Sequence, residues 1–189
     1  MQFYIGLVHY PVYNRNHEII ASAITNLDLH DLSRLARTYG ARGVYVISPL
    51  GDQQGIAERI RRHWTEGFGA DYNPFRKQAF DLLFISPTLE RSVDDIIRRE
   101  GVRPVVIATD ASKGKGVSIT YPEAKKLLRT ERTVMLLFGT AWGLTEEVFG
   151  RTDYALDPIE GITDYNHLSV RTAAAIILDR LAGDFDGGY

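Results

Sequence analysis

Short, mostly apolar runs alternate along the chain with stretches whose apolar residues recur at helical spacing. The runs are residues 3–8, 43–47, 80–85, 104–108 and 134–138. A run without a polar face predicts a strand covered on both sides, as in a parallel sheet. Between the first two runs, Leu29, Leu32, Leu35, Ala36 and Tyr39 form one helical stripe, opened by the capping residues Asn26 and Asp28 and stopped by Gly40. Helices are also predicted over 56–64, 89–99, 121–128 and about 167–181. Pro122 stands in the first turn of the third, where its missing N–H costs nothing. Residues 13–16 read as a turn, and 18–25, between that turn and the helix cap, as a second strand. This alternation gives the fold class: α/β, a mostly parallel sheet flanked by helices. One domain is expected over 1–182, followed by a glycine-rich, acidic and fraying tail over 183–189.

Composition narrows the function classes. The chain has no cysteine, which excludes disulfides, thiolate metal sites and cysteine nucleophiles. Its five histidines fall in no metal-binding spacing, so no metal is expected. A net charge of -2 means that any nucleic-acid contact must use a local patch. No run has the length of a membrane span and the N-terminus lacks a signal-peptide layout, so a cytoplasmic protein without membrane contact is expected. Neither glycine-rich nucleotide fingerprint, G-x-G-x-x-G or G-x-x-x-x-G-K-[ST], occurs.

Ligands of open parallel sheets bind outside the carboxyl ends of strands. Gly139 closes the run 134–138 and is followed by Gly143-Leu144; a lone glycine there is more often only a turn. Asp157-Pro158-Ile159-Glu160-Gly161 leads into polar residues that open the last helix, whose free N–H groups would lie near the same edge. On the helix after Asn26 the outward residues are Asp28, His30, Asp31, Arg34, Arg37 and Thr38. Arg34 is four positions from His30 and three from Asp31, so the three can meet on one face. That grouping is either a functional arginine held by a carboxylate or a solvated polar face. Basic residues gather at Arg59, Arg61, Arg62 and His63, and at Lys113 and Lys115 around Gly114, as phosphate contacts require.

Taken in order, these pieces resemble the SPOUT class of AdoMet-dependent RNA methyltransferases, its SpoU/TrmH-type branch in particular. Asn26-Leu27-Asp28 through Arg34 resembles the leading motif. Leu137-Phe138-Gly139 with Gly143-Leu144-Thr145-Glu146 resembles the second. Asp157–Gly161, then Tyr165-Asn166-His167-Leu168-Ser169-Val170 and the small residues 173–175, resemble the third. The stretches 9–14 (HYPVYN) and 25–31 (TNLDLHD) are also similar to a smaller bacterial group of stand-alone SPOUT proteins. Two departures stand out: Ala141-Trp142 replace the glutamate usual between the glycines of the second motif, and Asn166-His167 replace a leucine-asparagine pair.

The resemblance implies a C-terminal trefoil knot, and S-adenosyl-L-methionine (AdoMet, SAM) bent into its loops. Backbone groups at Thr109, Leu137, Gly139, Ile159, Gly161, His167 and Leu168 would hold the cofactor. It further implies a homodimer in which Arg34, with Arg37 as the fallback, reaches a site built at the interface. The substrate would be tRNA or rRNA, gripped by Arg37, Arg61, Arg62, Lys113 and Lys115, and methylated on a ribose 2′-O or on a base nitrogen such as guanine N1. Arginine is too basic to take up a proton, which leaves that task to Asp31 or His30. The competing reading is a non-catalytic RNA- or nucleotide-binding protein on the same fold. A doubly wound α/β protein binding a phosphorylated metabolite is weaker, for want of a phosphate loop.

Overall fold

The computed structural model describes residues 1–163 and 165–183. The apolar runs become β1 (Gln2–Val8), β4 (Gly43–Ile47), β5 (Leu83–Ser86), β6 (Val105–Thr109) and β8 (Thr133–Gly139). Short strands join them at β2 (Val12–Tyr13), β3 (Ile19–Ile20), β7 (Ser118–Ile119) and β9 (Tyr154–Leu156). The helices are α1 (Asn26–Tyr39), α2 (Gly51–Thr65), α3 (Gly67–Tyr72), α4 (Pro74–Phe80), α5 (Leu89–Glu100), α6 (Tyr121–Leu128), α7 (Glu146–Phe149) and α8 (Val170–Ala182). The predicted acidic tail lies, from residue 184 onward, outside the described residues.

Seven strands form one sheet in the order β5-β4-β1-β8-β6-β9-β7, and every pairing in it is parallel. Strand residues alternate between two cores, as the pleat demands. Phe3, Ile5, Leu7, Val134, Leu136 and Phe138 face the layer that contains α1, α2, α4, α6 and α8. Tyr4, Val8, Met135 and Leu137 face α5, α7 and Val12 of the β2–β3 hairpin. Burial of such side chains contributes about 1.5–3 kcal/mol each. Tyr4 and Tyr45 donate hydrogen bonds to Glu100 and Asp95 (2.6 Å each), which fixes α5 on its face.

Local chemistry shifts several expected boundaries. The strand predicted over 18–25 shrinks to Ile19–Ile20, paired antiparallel with β2 outside the main sheet. Beyond it the backbone finds other partners: Ser22 N–H donates to the His9 carbonyl (2.8 Å) and Ile24 N–H to Gln53 Oε1 (2.7 Å). The cap of α1 is Thr25 rather than Asn26, its hydroxyl accepting from Asp28 N–H (3.1 Å) and donating to the Asp28 carboxylate (2.6 Å). Helix α2 starts five residues earlier than its apolar pattern suggested. Phe80 ends α4 instead of opening a strand. The closing helix starts at Val170, capped by Ser169, and not at 167.

Candidate active site

Parallel register brings the carboxyl ends of four strands together. Val8 of β1 is level with Gly139 of β8, Ala108 of β6 with Leu137, and Thr109 with Leu156 of β9. The Thr109 hydroxyl donates to the Leu137 carbonyl (2.9 Å), tying β6 to β8. The Leu137 side chain is itself fully buried, so only its backbone can face a ligand. Over these ends lie three loops: 110–117 after β6, 140–145 after β8, and 157–169 after β9. The outer two are linked, because Asn166 Nδ2 donates to the Ala111 carbonyl (2.8 Å) and Lys113 pairs with Glu160. Ile159 packs partly into the core, while Gly161, His167 and Leu168 are exposed along the third loop. Helix α8 begins nine residues after Gly161, three residues later than the expected start near 167.

The loop 140–145 is tightly held. Trp142 N–H donates to the Tyr13 carbonyl (2.9 Å) and Tyr13 N–H to the Gly143 carbonyl (3.0 Å), so the β2–β3 hairpin clamps it. Ala141 and Gly143 turn it at φ 51 and φ 99. A Cβ on Gly139 would lie 2.8 Å from Leu144 N and 3.1 Å from the Gly143 carbonyl carbon. Gly139 is therefore required by the loop's own packing, before any ligand is considered. The indole of Trp142 nevertheless stays 61% exposed.

Beneath this loop a donor chain crosses from β1 to β8. His9 Nδ1 lies 2.9 Å from Ser22 Oγ, Ser22 Oγ 2.5 Å from Thr140 Oγ1, and Thr140 Oγ1 donates to the Val8 carbonyl (3.0 Å). The buried Nε2 of His9 has no hydrogen-bond partner among the described residues. Burial lowers the His9 pKa to about 4 from its ordinary 6.5, against the opposing pull of Asp28. The depressed value makes the neutral imidazole's contribution whole above pH 6.5, and that contribution is lost as pH falls toward 4. It amounts to about 3 kcal/mol. Unfolding free energies of the protein and its His9→Gln variant, measured in denaturant from pH 7 to pH 4, should converge by about that amount. A pH-independent difference would refute the buried neutral state.

The third part of the site lies between α1 and α8. Arg171 Nη1 bonds Asp31 (3.0 Å) and its Nε approaches Asp28 (3.3 Å), while at the other end Tyr39 donates to Asp179 (2.9 Å). The two helices thus lie side by side and parallel. A hollow of about 480 Å³ opens between them, lined by Asp31, Arg34, Thr38, Ser169, Arg171 and Thr172. Arg34 is exposed there and has no ion pair among the described residues. Sequence reasoning missed Arg171: nothing in its own neighbourhood marks it, and only the packing of α8 on α1 brings it to two carboxylates.

The remaining expected residues are dispersed or already partnered. The His30 ring packs edge-on against Phe80 (4.7 Å) and Trp64 (5.4 Å), and burial, with Arg76 nearby, lowers its pKa. It joins an aromatic cluster with α2 and α4 and does not line the Arg34 hollow. Lys115 is paired with Asp110 (2.9 Å), Arg61 with Glu58 (2.6 Å) and Arg62, more loosely, with Glu66 (3.4 Å). Arg37 donates to Gln78 Oε1 (3.3 Å). Among the described residues no helix is long and apolar enough to cross a membrane, and no three His, Asp or Glu side chains are grouped to hold a metal.

Comparison with known proteins adds four findings. Residues 2–183 fit the sequence model of a family described as SAM-dependent RNA methyltransferase. A protein of Oleidesulfovibrio alaskensis named tRNA (guanine-N(1)-)-methyltransferase is 46% identical over 181 residues, which make up 96% of this chain and 42% of that one. An uncharacterized protein of Aquifex aeolicus is 36% identical over 185 residues, 94% of this chain and 87% of its own length. This chain thus spans about two-fifths of the length of the Oleidesulfovibrio relative. In fold it is similar to the SpoU methyltransferase AviRb from Streptomyces viridochromogenes in complex with AdoMet, with a TM-score of 0.56 and 18% identity over 100% of this chain and 61% of that one.

Proposed function

Because the chain belongs to the SPOUT-class family of SAM-dependent RNA methyltransferases, we propose that it methylates a tRNA or rRNA with AdoMet, as a homodimer. The observation that carries this reading is the meeting of the β6, β8 and β9 ends under cross-linked loops, with the unpaired Arg34 nearby on the braced α1. A nucleoside ring and an aliphatic chain need backbone hydrogen bonds and apolar cover. The loops offer both, in their irregular backbone at 158–161 and 166–168 and in the exposed Ile162 and Leu168. Thr109, Leu137, Gly139, Ile159, Gly161, His167 and Leu168 would hold the cofactor through main-chain groups. The expected knot is supported by the chain's route, in which β8 enters between β1 and β6, β9 passes to the far side of β6, and α8 returns to α1.

Bound AdoMet supplies a methyl group already activated on a sulfonium. What remains for the protein is alignment, which supplies roughly 7–11 kcal/mol in favourable cases. Arg34, fixed in charge, would hold the RNA phosphate or ribose next to the acceptor atom. Asp31 lines the same hollow and is the nearer proton acceptor, although Arg171 shares its charge; His30, enclosed by aromatics, is poorly placed for that work. A cytoplasmic site of action follows from such a substrate. Guanine N1 and a ribose 2′-O both remain targets, since the named activity of the Oleidesulfovibrio relative belongs to a protein of which this chain matches 42%. Trp142, standing where the related motif has glutamate, favours one other reading, a non-catalytic RNA-binding protein.

The test is methyl transfer from labelled AdoMet into total tRNA and rRNA, followed by nucleoside analysis, with a calorimetric AdoMet titration alongside and NAD as control. Label in a 2′-O-methylated nucleoside or in 1-methylguanosine is expected, with saturable binding of AdoMet alone. RNA binding without transfer would leave the non-catalytic reading, and no AdoMet binding would sink the methyltransferase.

A further inference from the structure

The segment 67–80 carries three large rings almost wholly in water: Phe68, Tyr72 and Phe75 are 79%, 75% and 83% exposed. Single exposed apolar residues are ordinary, but three rings within eight positions make a patch that marks an interaction site. The rings stand on a firm base. A Cβ on Gly69 would lie 2.1 Å from the His63 carbonyl oxygen, so the backbone of α3 is seated directly on the end of α2. Asn73 caps α4 by accepting Arg76 N–H (3.0 Å). Phe68 and Tyr72 stack with centroids 5.6 Å apart and planes 20° apart, leaving outer faces open.

Charge identifies the occupant. Beside α3 lies a hollow of about 460 Å³ lined by Arg59, Arg62, His63, Glu66 and Gly67. In this part of the chain Arg61, Arg62 and Lys77 are matched by Glu58, Glu66 and Asp81. Arg59 and Arg76 have no carboxylate among the described residues, and Arg76 lies 4.7 Å over the Trp64 ring. Arg37, bonded to Gln78 of α4, extends the cationic side onto the face of α1 that bears Arg34. Open aromatic faces beside unmatched arginines fit a ligand that alternates flat bases with phosphates, and whose bases are not hidden in a duplex.

We propose that the α3–α4 face is a stacking platform for unpaired nucleotides of the RNA substrate, with Phe68, Tyr72 and Phe75 taking bases and Arg59 and Arg76 their phosphates. This rests on the RNA-methyltransferase reading, which the AdoMet titration tests separately. The experiment is fluorescence anisotropy with a labelled single-stranded oligoribonucleotide and with the same sequence as a duplex. It compares the full chain with a Phe68→Ala/Tyr72→Ala/Phe75→Ala variant and with Tyr72→Phe. The triple variant should bind the single strand at least about tenfold more weakly, since stacking on each ring favours binding by roughly that factor. It should bind AdoMet and duplex as before, while Tyr72→Phe should retain single-strand affinity. Equal single-strand affinity in the triple variant, with AdoMet binding intact, would overturn the platform and leave the enzyme reading standing. Sedimentation gives a second check: conversion of a dimer to monomers by the triple variant would overturn it too, by assigning the face to a second copy of the chain.

Discussion

Gly139→Val should be less stable and bind AdoMet roughly a hundredfold more weakly, whereas Gly161→Ala should fold as well as the parent. At Gly139 even the first carbon of a side chain would meet Leu144 N at 2.8 Å and Leu144 Cγ at 2.9 Å. The loop cannot simply give way, because Tyr13 holds it through two backbone hydrogen bonds and Thr140 holds it to Val8. Overpacking of this kind costs about 1–3 kcal/mol. A displaced loop also withdraws the backbone groups expected to meet the cofactor, and losing two such hydrogen bonds weakens binding by roughly a hundredfold. At Gly161 no atom lies within 4 Å of the added carbon, so alanine there perturbs only what approaches from outside. Denaturant unfolding and AdoMet calorimetry on the two variants separate these effects. A Gly139→Val protein that binds AdoMet normally would remove the 140–145 loop from the cofactor site.

Arg34→Ala should fold and bind AdoMet normally while its kcat for RNA methylation falls about a hundred- to a thousandfold, the scale of losing one preorganised charge contact at a reacting centre. The stability expectation follows from exposure: Arg34 has no ion pair among the described residues, so its removal strands no charge. Arg171→Ala makes the useful contrast, since it would leave Asp28 and Asp31 without their shared cation and loosen α1 from α8. A loss confined to KM in Arg34→Ala would make the residue an RNA-gripping group only, and unchanged kinetics would exclude it from the site.

The alternation of apolar runs with helical stripes was enough to read the parallel α/β sheet, because runs of five or six residues bounded by turn signals are too short for buried helices. What stayed hidden was whatever depended on partners distant in sequence. Residues 21–25 read as strand from the turn before them and the cap after them, yet the N–H groups of Ser22 and Ile24 are claimed by His9 and Gln53. The helices over 67–80 carry too few apolar positions to show a stripe, and they hold their place through Gly69 lying against α2. At the site, the strand-end glycines were legible as punctuation and Arg34 as an arginine beside Asp31, although the carboxylate expected to hold it pairs with Arg171. Arg171 was not, since its meaning lies entirely in α1. His30 was misjudged because spacing along a helix fixes neighbours on that helix and says nothing of Trp64 and Phe80 arriving from outside.

The sheet order bears on how the chain is made. Strand β8 supplies the middle of the sheet, and its Thr133 meets Gln2 of β1 across 131 positions of sequence. As the nascent chain leaves the ribosome, β1, β4 and β5 can pair while the other side of β1 remains an open edge. The edge of β6 that faces β8 is open in the same way. Both edges are apolar and hydrogen-bond hungry until the segment 133–139 is synthesised and inserted between them. Contacts this distant close slowly, and unpaired edges of this kind are sites where chains adhere to one another. The interval before the central strand arrives is therefore the aggregation-exposed stage of this protein's folding, a kinetic quantity that the finished sheet's stability does not set.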